Sequence, residues 1–297
     1  MSGLKSDTYA RGLAMSAAGM IILSPDALLL RMVDHASIWD TLFYRSIFVF
    51  LALFTYLTVR NGKRILGIFK SMGVAGLIAT ILMTCSNVTF VLAIVNTSVA
   101  NTLVILATMP LFGAVLGWLI IGERVGRRTR YSIVLAFAGI MVIFSDSFGQ
   151  GYWLGDALAM VTAFLMGLNL VILRKFKGQD VVTPAYCLSG LFVALIVFPQ
   201  ANPTLVPPGD LGVLMVMGLV VVPLSMVLFL GGARHAPAAE IALLSLIETV
   251  LGPFWAWLGV GEPVATLTLM GGTIVILAIA GNAVLGLRRD KIQANSP

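Results

Sequence analysis

A handful of ionisable and hydroxyl side chains lie inside long apolar runs, and these are the residues able to do chemistry. An ionisable group in such surroundings costs several kcal/mol unless it is paired, protonated or wetted, so each is a candidate functional site. Glu248 stands in IALLSLIETVLGPFW, five residues before Pro253. Its carboxyl would bind a substrate ammonium or an exchanged proton; the plainer alternative is a protonated carboxyl hydrogen-bonded to a neighbouring helix. Asp26 follows Pro25, and Arg45 lies in the next apolar run at matching depth. A buried Asp–Arg pair holding two helices together is one reading, since breaking such a pair is costly even where it does no chemistry. The other makes Arg45 the two-pronged partner of a substrate carboxylate. Thr84, Ser86, Asn87, Ser225, Ser245 and Thr249 add neutral hydrogen-bonding groups, which serve equally well as glue between helices. Pro110 and Pro253 each remove a backbone N–H and free a carbonyl, either to open a binding site or merely to kink the chain.

The elements that position these groups follow from composition. Of 297 residues, 59% are hydrophobic and 11% charged, with a mean hydropathy of +1.00; soluble domains carry about 25% charged residues. One anchor of about 20 residues would scarcely move that mean. The reading is an all-α membrane protein of ten transmembrane helices, at 11–32, 37–59, 71–95, 97–121, 129–146, 153–174, 182–200, 209–232, 237–259 and 266–287. Residues 71–122 lack Asp, Glu, Lys, Arg and His. As one helix they would reach about 78 Å, more than two bilayer cores. The chain must therefore turn back, at Asn96, Thr97 and Ser98. The opening MSGLKSDTYARGLAMSAAG reads as a short tail entering the first helix rather than a cleaved signal.

Charge tests this count independently, because cytoplasmic loops collect Lys and Arg. Ten spans put both termini on one side. That side receives Lys5 and Arg11; Arg60, Lys63, Arg64 and Lys70; Arg124, Arg127, Arg128 and Arg130; Arg174, Lys175 and Lys177; Arg234; and Arg288, Arg289 and Lys291. These are 17 of the 19 basic residues, leaving Arg31 near an outer end and Arg45 inside a helix.

NTSVANTLVILATMPLFGAVLGWLIIGERV aligns with RHAPAAEIALLSLIETVLGPFWAWLGVGEPV when Gly122–Glu123 is set on Gly261–Glu262, an offset of 139. The offset also matches Ala100 with Ala239, Gly113 with Gly252, Trp118 with Trp257 and Val125 with Val264, and upstream Ser86, Val88 and Phe90 with Ser225, Val227 and Phe229. Five helices per half is an odd number, so the second half enters the membrane inverted. The halves are 1–148 and 149–290, with a cytoplasmic tail at 291–297. Inverted halves are a recurrent design of secondary transporters.

On these residues the chain resembles the EamA-type branch of the drug/metabolite transporter superfamily, and within it the YddG-like amino-acid and metabolite exporters. The GE pairs, the small residues around Gly139 and Gly271, and the arginine early in the second helix carry the resemblance over nearly the full chain. It implies alternating access without ATP, a cavity lined by the third, fourth, eighth and ninth helices, and both termini in the cytoplasm. Asp26 and Glu248 are not part of a general pattern of that family.

Several functions are excluded or disfavoured. No Walker sequence is present for an ATP-driven pump, and neither H-E-x-x-H nor G-x-S-x-G for an embedded enzyme. The basic residues punctuate apolar runs rather than forming a nucleic-acid face. Cys85 and Cys187 suggest neither a disulfide framework nor a metal site. Trp118 and Trp257 read as interfacial belt residues, Glu123 and Glu262 as helix-end residues, and His35 and His235 as parts of connections. The expectation is a secondary transporter of a bacterial inner membrane, without cofactor or catalytic residues, exporting amino acids or similar zwitterions, with protons as a possible coupling ion. Its expected substrate-binding residues are Glu248, Asn87, Thr84, Ser245, Thr249, Ser225 and Arg45. The alternatives are a carrier of a nucleoside, vitamin or organic cation in the same fold, then a channel or an embedded enzyme.

Overall fold

The computed structural model describes residues 2–294 apart from 124, 177–180, 203–205, 234, 236 and 237, and at 2–8, 146, 150, 238–240, 242 and 286–294 it describes the backbone alone. Arg124, Lys177 and Arg234 lie outside the described residues, as do the side chains of Lys5, Arg288, Arg289 and Lys291.

Among the described residues there is no strand. Nine helical stretches of the described residues are long and apolar enough to cross a bilayer, and a tenth is shorter. The first span is broken into α1 (Ser2–Leu23) and α2 (Asp26–Arg31). The second runs from α3 (Ile38–Asn61) through a tight turn at Gly62–Arg64 into α4 (Ile65–Ser71). The third is α5 (Gly73–Asn96). The fourth is α6 (Val99–Leu106) plus α7 (Met109–Ile121), and the fifth is α8 (Arg127–Gln150). The sixth is α9 (Trp153–Lys175) and the seventh α10 (Val182–Val197). The eighth joins α11 (Pro208–Met215) to α12 (Val222–Ala233) through a π-helical segment, Val216–Val221. The ninth is α13 (Ala238–Val260) and the tenth α14 (Thr266–Ala294).

Three differences from the expected boundaries have local causes. α3 ends at Asn61, two residues past the expected 59, where Gly62 takes a φ of 56°, and the basic residues Lys63, Arg64 and Lys70 lie on the turn and short helix that carry the chain on to Ser71. The seventh stops at Val197, and its 16 residues span about 24 Å. Pro253 does not break the ninth span, which stays helical through it, whereas the fourth span does break, just before Pro110. The turn between third and fourth spans falls at Thr97 and Ser98, where the Ser98 hydroxyl accepts from the Asn101 N–H and caps α6.

The helices pair closely in four places: α1 with α12, α5 with α9, α3 with α10, and α8 with α14; α7 also packs on α9, and α13 on α1. Small residues permit this approach. A Cβ on Gly139 would sit 2.7 Å from the Gly271 carbonyl, and one on Gly271 would sit 2.6 Å from the Gly139 carbonyl. Outward-facing side chains such as Leu51, Leu77, Val134, Met141, Leu195 and Leu277 are exposed, as lipid contact requires. Trp118 and Trp257 occupy the last turns of α7 and α13 and are both 57% exposed, in the position of an interfacial belt.

Polar ties among the described residues hold both ends of the bundle. At the end holding Glu262, the Asp210 carboxylate accepts the His35 and Ala36 N–H groups at 2.8 and 2.7 Å, and Asp40 accepts the Asn202 N–H at 2.6 Å. Asp156, fully buried, accepts the Thr97 hydroxyl at 2.6 Å and the Asn101 amide at 3.2 Å. Asn101 in turn donates to Ser147 and accepts from Thr268. At the end holding Glu123, the described ties are Arg174 to Glu123, and Arg128 and Thr129 to Asn282.

Candidate functional site

The break in the first span places the site. Pro25 has no N–H to offer the Ile21 carbonyl, and the Ser24 hydroxyl takes that role at 2.8 Å. Ser24 then accepts the Trp255 indole N–H at 2.9 Å, tying the break to the ninth span. α2 restarts at Asp26, whose carboxylate is buried.

Across from it, Arg45 of α3 donates through Nη2 to Asp26 Oδ2 at 2.8 Å, with both side chains 4% exposed. Its Nη1 donates to Asn87 Oδ1 at 2.9 Å, and its guanidinium lies 5.9 Å from the centre of the Phe90 ring. One cation thus links the first, second and third spans. Arg45 Nε and Asp26 Oδ1 are buried without a hydrogen-bond partner. The anticipated Asp26–Arg45 meeting occurs, and Asn87 completes it. Tyr186 of α10 and Glu248 of α13 lie within Coulombic reach of this pair.

Glu248 is half-buried, and no hydrogen bond or ion pair reaches its carboxylate from the described residues. Ser245 lies one turn before Glu248 on α13 and shares its face, whereas Thr249 follows Glu248 directly, is buried and does not share that face. Asp26 and Arg45 neutralise one another, so an ionised Glu248 leaves the cluster with one net negative charge beside an unfilled hydrogen-bonding position. That arrangement attracts a cation with N–H donors.

The other expected residues sit differently. Thr84 is buried one turn before Asn87 on α5, with its hydroxyl donated to the Thr80 carbonyl. Ser86 likewise bonds within its own helix, to Leu82 and Met83. Ser225 is fully buried at the crossing of α12 with α1, where its carbonyl lies 2.8 Å from a Cβ built on Gly19, and its hydroxyl donates to Val222. It therefore belongs to helix packing, apart from the Arg45 cluster. Sequence reasoning missed Tyr186 and the Ser24–Trp255 bond. The signal for the second was a serine directly before a proline inside an apolar run.

The EamA-like transporter family matches residues 9–145 and again 153–284. The chain is 22% identical to the transporter YwfM of Bacillus subtilis over 208 residues, 68% of this chain and 70% of the relative. It is 22% identical over 211 residues to the pseudopaline exporter CntI of Pseudomonas aeruginosa, covering 69% of this chain and 72% of that protein. A solved crystal structure superposes with a TM-score of 0.68 at 15% identity, over 96% of this chain and 99% of its own. That likeness concerns the fold alone.

Proposed function

This chain belongs to the EamA-like transporter family, and we propose from that premise that it is a secondary carrier exporting small amines, foremost amino acids, by alternating access, with Glu248 as the group that receives the substrate ammonium. The observation that carries the reading is the half-buried Glu248 carboxylate in the middle of a span, unbonded among the described residues, beside an Asp26–Arg45 pair that is already neutral. A carboxylate at that depth has to be protonated, wetted or paired, and an ammonium meets the need. A proton on Glu248 would serve the same end between substrates, which makes protons the natural exchanged ion.

In this reading Arg45 is a positioning residue. Two of its nitrogens are committed to Asp26 and Asn87, so it shapes the field around Glu248 rather than gripping a substrate carboxylate. Asn87 holds Arg45 in place, and Ser245, one turn from Glu248, flanks the ammonium. Alternating access is supported by the 139-residue repeat and by helix pairings that exchange with the halves: first with eighth as sixth with third, and first with ninth as sixth with fourth. Export is supported by the likeness to a pseudopaline exporter. Cytoplasmic termini are supported by the basic loops.

Counterflow in proteoliposomes tests the recognition. With vesicles loaded with unlabelled amino acids, labelled amino acid should enter and be competed by small primary amines, while N-acetylated analogues, lacking the ammonium, should compete at least about tenfold less well. Equal competition by acetylated and free amines would contradict the assignment to Glu248.

A further inference from the structure

The connection between the second and third spans is built as an elbow. α3 alone, with 24 residues, covers about 36 Å, enough to cross the hydrocarbon core, so the chain beyond Asn61 has left it. Gly62 and Gly73 take φ of 56° and 55°, left-handed turns that suit glycine, and between them lie the turn Gly62–Arg64 and the seven-residue α4. One side of this segment faces the protein. Ile65 and Phe69 pack on the cluster that holds Leu53 and Leu57, and the Phe69 ring stacks on Phe54 with centroids 6.4 Å apart. No residue of the turn or of α4 is buried.

The other side carries both charge and apolar surface. Leu66 is 78% exposed, and at helical spacing it lies between Lys63, three residues before it, and Lys70, four after. Arg64 is exposed beside them, and Arg60, in the last turn of α3, donates to the Tyr56 hydroxyl at 2.9 Å. Among the described residues none of these four cations forms an ion pair, and the sequence has no Asp or Glu from residue 41 to residue 122. The repeat shows that the fold does not demand such a segment. At the same offset of 139, the connection between the seventh and eighth spans holds Pro203, Pro207 and Pro208 and no Lys or Arg.

We propose that the elbow is a docking site for the headgroups of anionic phospholipids. Leu66 enters the top of the acyl layer, while the stems of Lys63 and Lys70 lie along it and carry their ammonium groups out to the phosphates, as long cationic side chains do at an interface. Four Lys or Arg beside a span reach the density at which anionic lipid is preferred. A zwitterionic headgroup gains little there, because its own ammonium already balances its phosphate. The occupant is a lipid rather than a free anion because the exposed leucine offers an anion nothing, whereas an acyl chain covers it. The elbow joins the spans that carry Arg45 and Asn87, so a bound headgroup fixes the depth of both, whatever solute is carried.

Fluorescence quenching by labelled lipid tests this without a substrate. In a Cys85→Ser, Cys187→Ser background, a fluorophore is placed at Gly67→Cys or, for reference, at Gly209→Cys at the start of α11; a Cβ at either glycine meets no other atom within 4 Å. Phosphatidylcholine nanodiscs receive a small share of nitroxide-labelled phosphatidylglycerol or nitroxide-labelled phosphatidylcholine, and the quenching reports how often each sits beside the fluorophore. The phosphatidylglycerol-to-phosphatidylcholine quenching ratio at 67 should exceed that at 209 by at least about threefold, and should fall to the 209 value in Lys63→Gln/Arg64→Gln/Lys70→Gln and in about 1 M salt. The charge-preserving variant Lys63→Arg/Arg64→Lys/Lys70→Arg should keep the ratio, which separates lost charge from a disturbed fold. Equal ratios at 67 and 209, or a ratio at 67 that the triple Gln variant retains, would overturn the proposal. So would a ratio abolished by inorganic phosphate but kept in chloride of the same ionic strength, which would assign the cations to a free anion.

Discussion

The Glu262 end and the Glu123 end of the bundle carry the same helix cap and the same kind of ion pair, Arg31–Glu262 and Arg174–Glu123, and the first pair is the more buried, at 27% and 19% exposed against 43% and 47%. Around Glu262, buried carboxylates of Asp40, Asp156 and Asp210 receive backbone or side-chain donors from distant spans. Around Glu123, the described residues offer an exposed ion pair and the Asn282 contacts. Local sequence therefore specifies the cap, while the burial of the ion pair is set by how the helices pack around it. The carboxylates of Asp40, Asp210 and Glu262 lie at helix starts and turns, where they satisfy backbone N–H groups that lipid would leave stranded.

This contrast can be broken at graded cost. Asp156→Ala strands the Thr97 and Asn101 donors in a buried site and should cost about 3 kcal/mol of stability in detergent; a loss below about 1 kcal/mol would show that the network is not a tie. Asp210→Ala releases two N–H groups of the connection at His35 and Ala36, for about 2 kcal/mol on the same thermal or chemical unfolding measurement. Glu262→Gln removes a partly exposed pair and should cost about 1 kcal/mol, because the Val99 N–H keeps an oxygen to bond. Glu123→Gln, in an exposed pair, should fall within about 0.5 kcal/mol of wild type. The order of the last two is the sharpest point: equal effects would mean that the burial of the two pairs does not set what they contribute.

Much of the architecture was legible because lipid imposes strong rules. Span length and the uncharged run from 71 to 122 placed the third and fourth helices, and the depths of Asp26 and Arg45 anticipated their pairing. Glu123 and Glu262 read as helix-end residues; that each meets an arginine depends on helix packing, which spacing along one chain does not reveal. The Asp156 network was invisible for the same reason. It joins residues 59, 46 and 167 positions apart, and Asp156, in the first turn of its helix, looks like an ordinary interfacial acid. The π-helical segment in the eighth span had a signal in Pro223, which follows it and cannot continue an α-helical ladder. Pro253 taught the opposite lesson, since one missing N–H did not interrupt α13. Ser225 repeats Ser86 in sequence, yet it serves a helix crossing, because hydroxyls bond their own helix as readily as a ligand.

The most direct test of the central claim is uptake of labelled amino acids into proteoliposomes holding the wild-type or Glu248→Gln protein, with and without an imposed pH gradient. Saturable wild-type flux that responds to the gradient, and falls at least about tenfold with loss of that response in Glu248→Gln, is the predicted result. Equal flux through both proteins would contradict the assignment and leave Glu248 a packing residue.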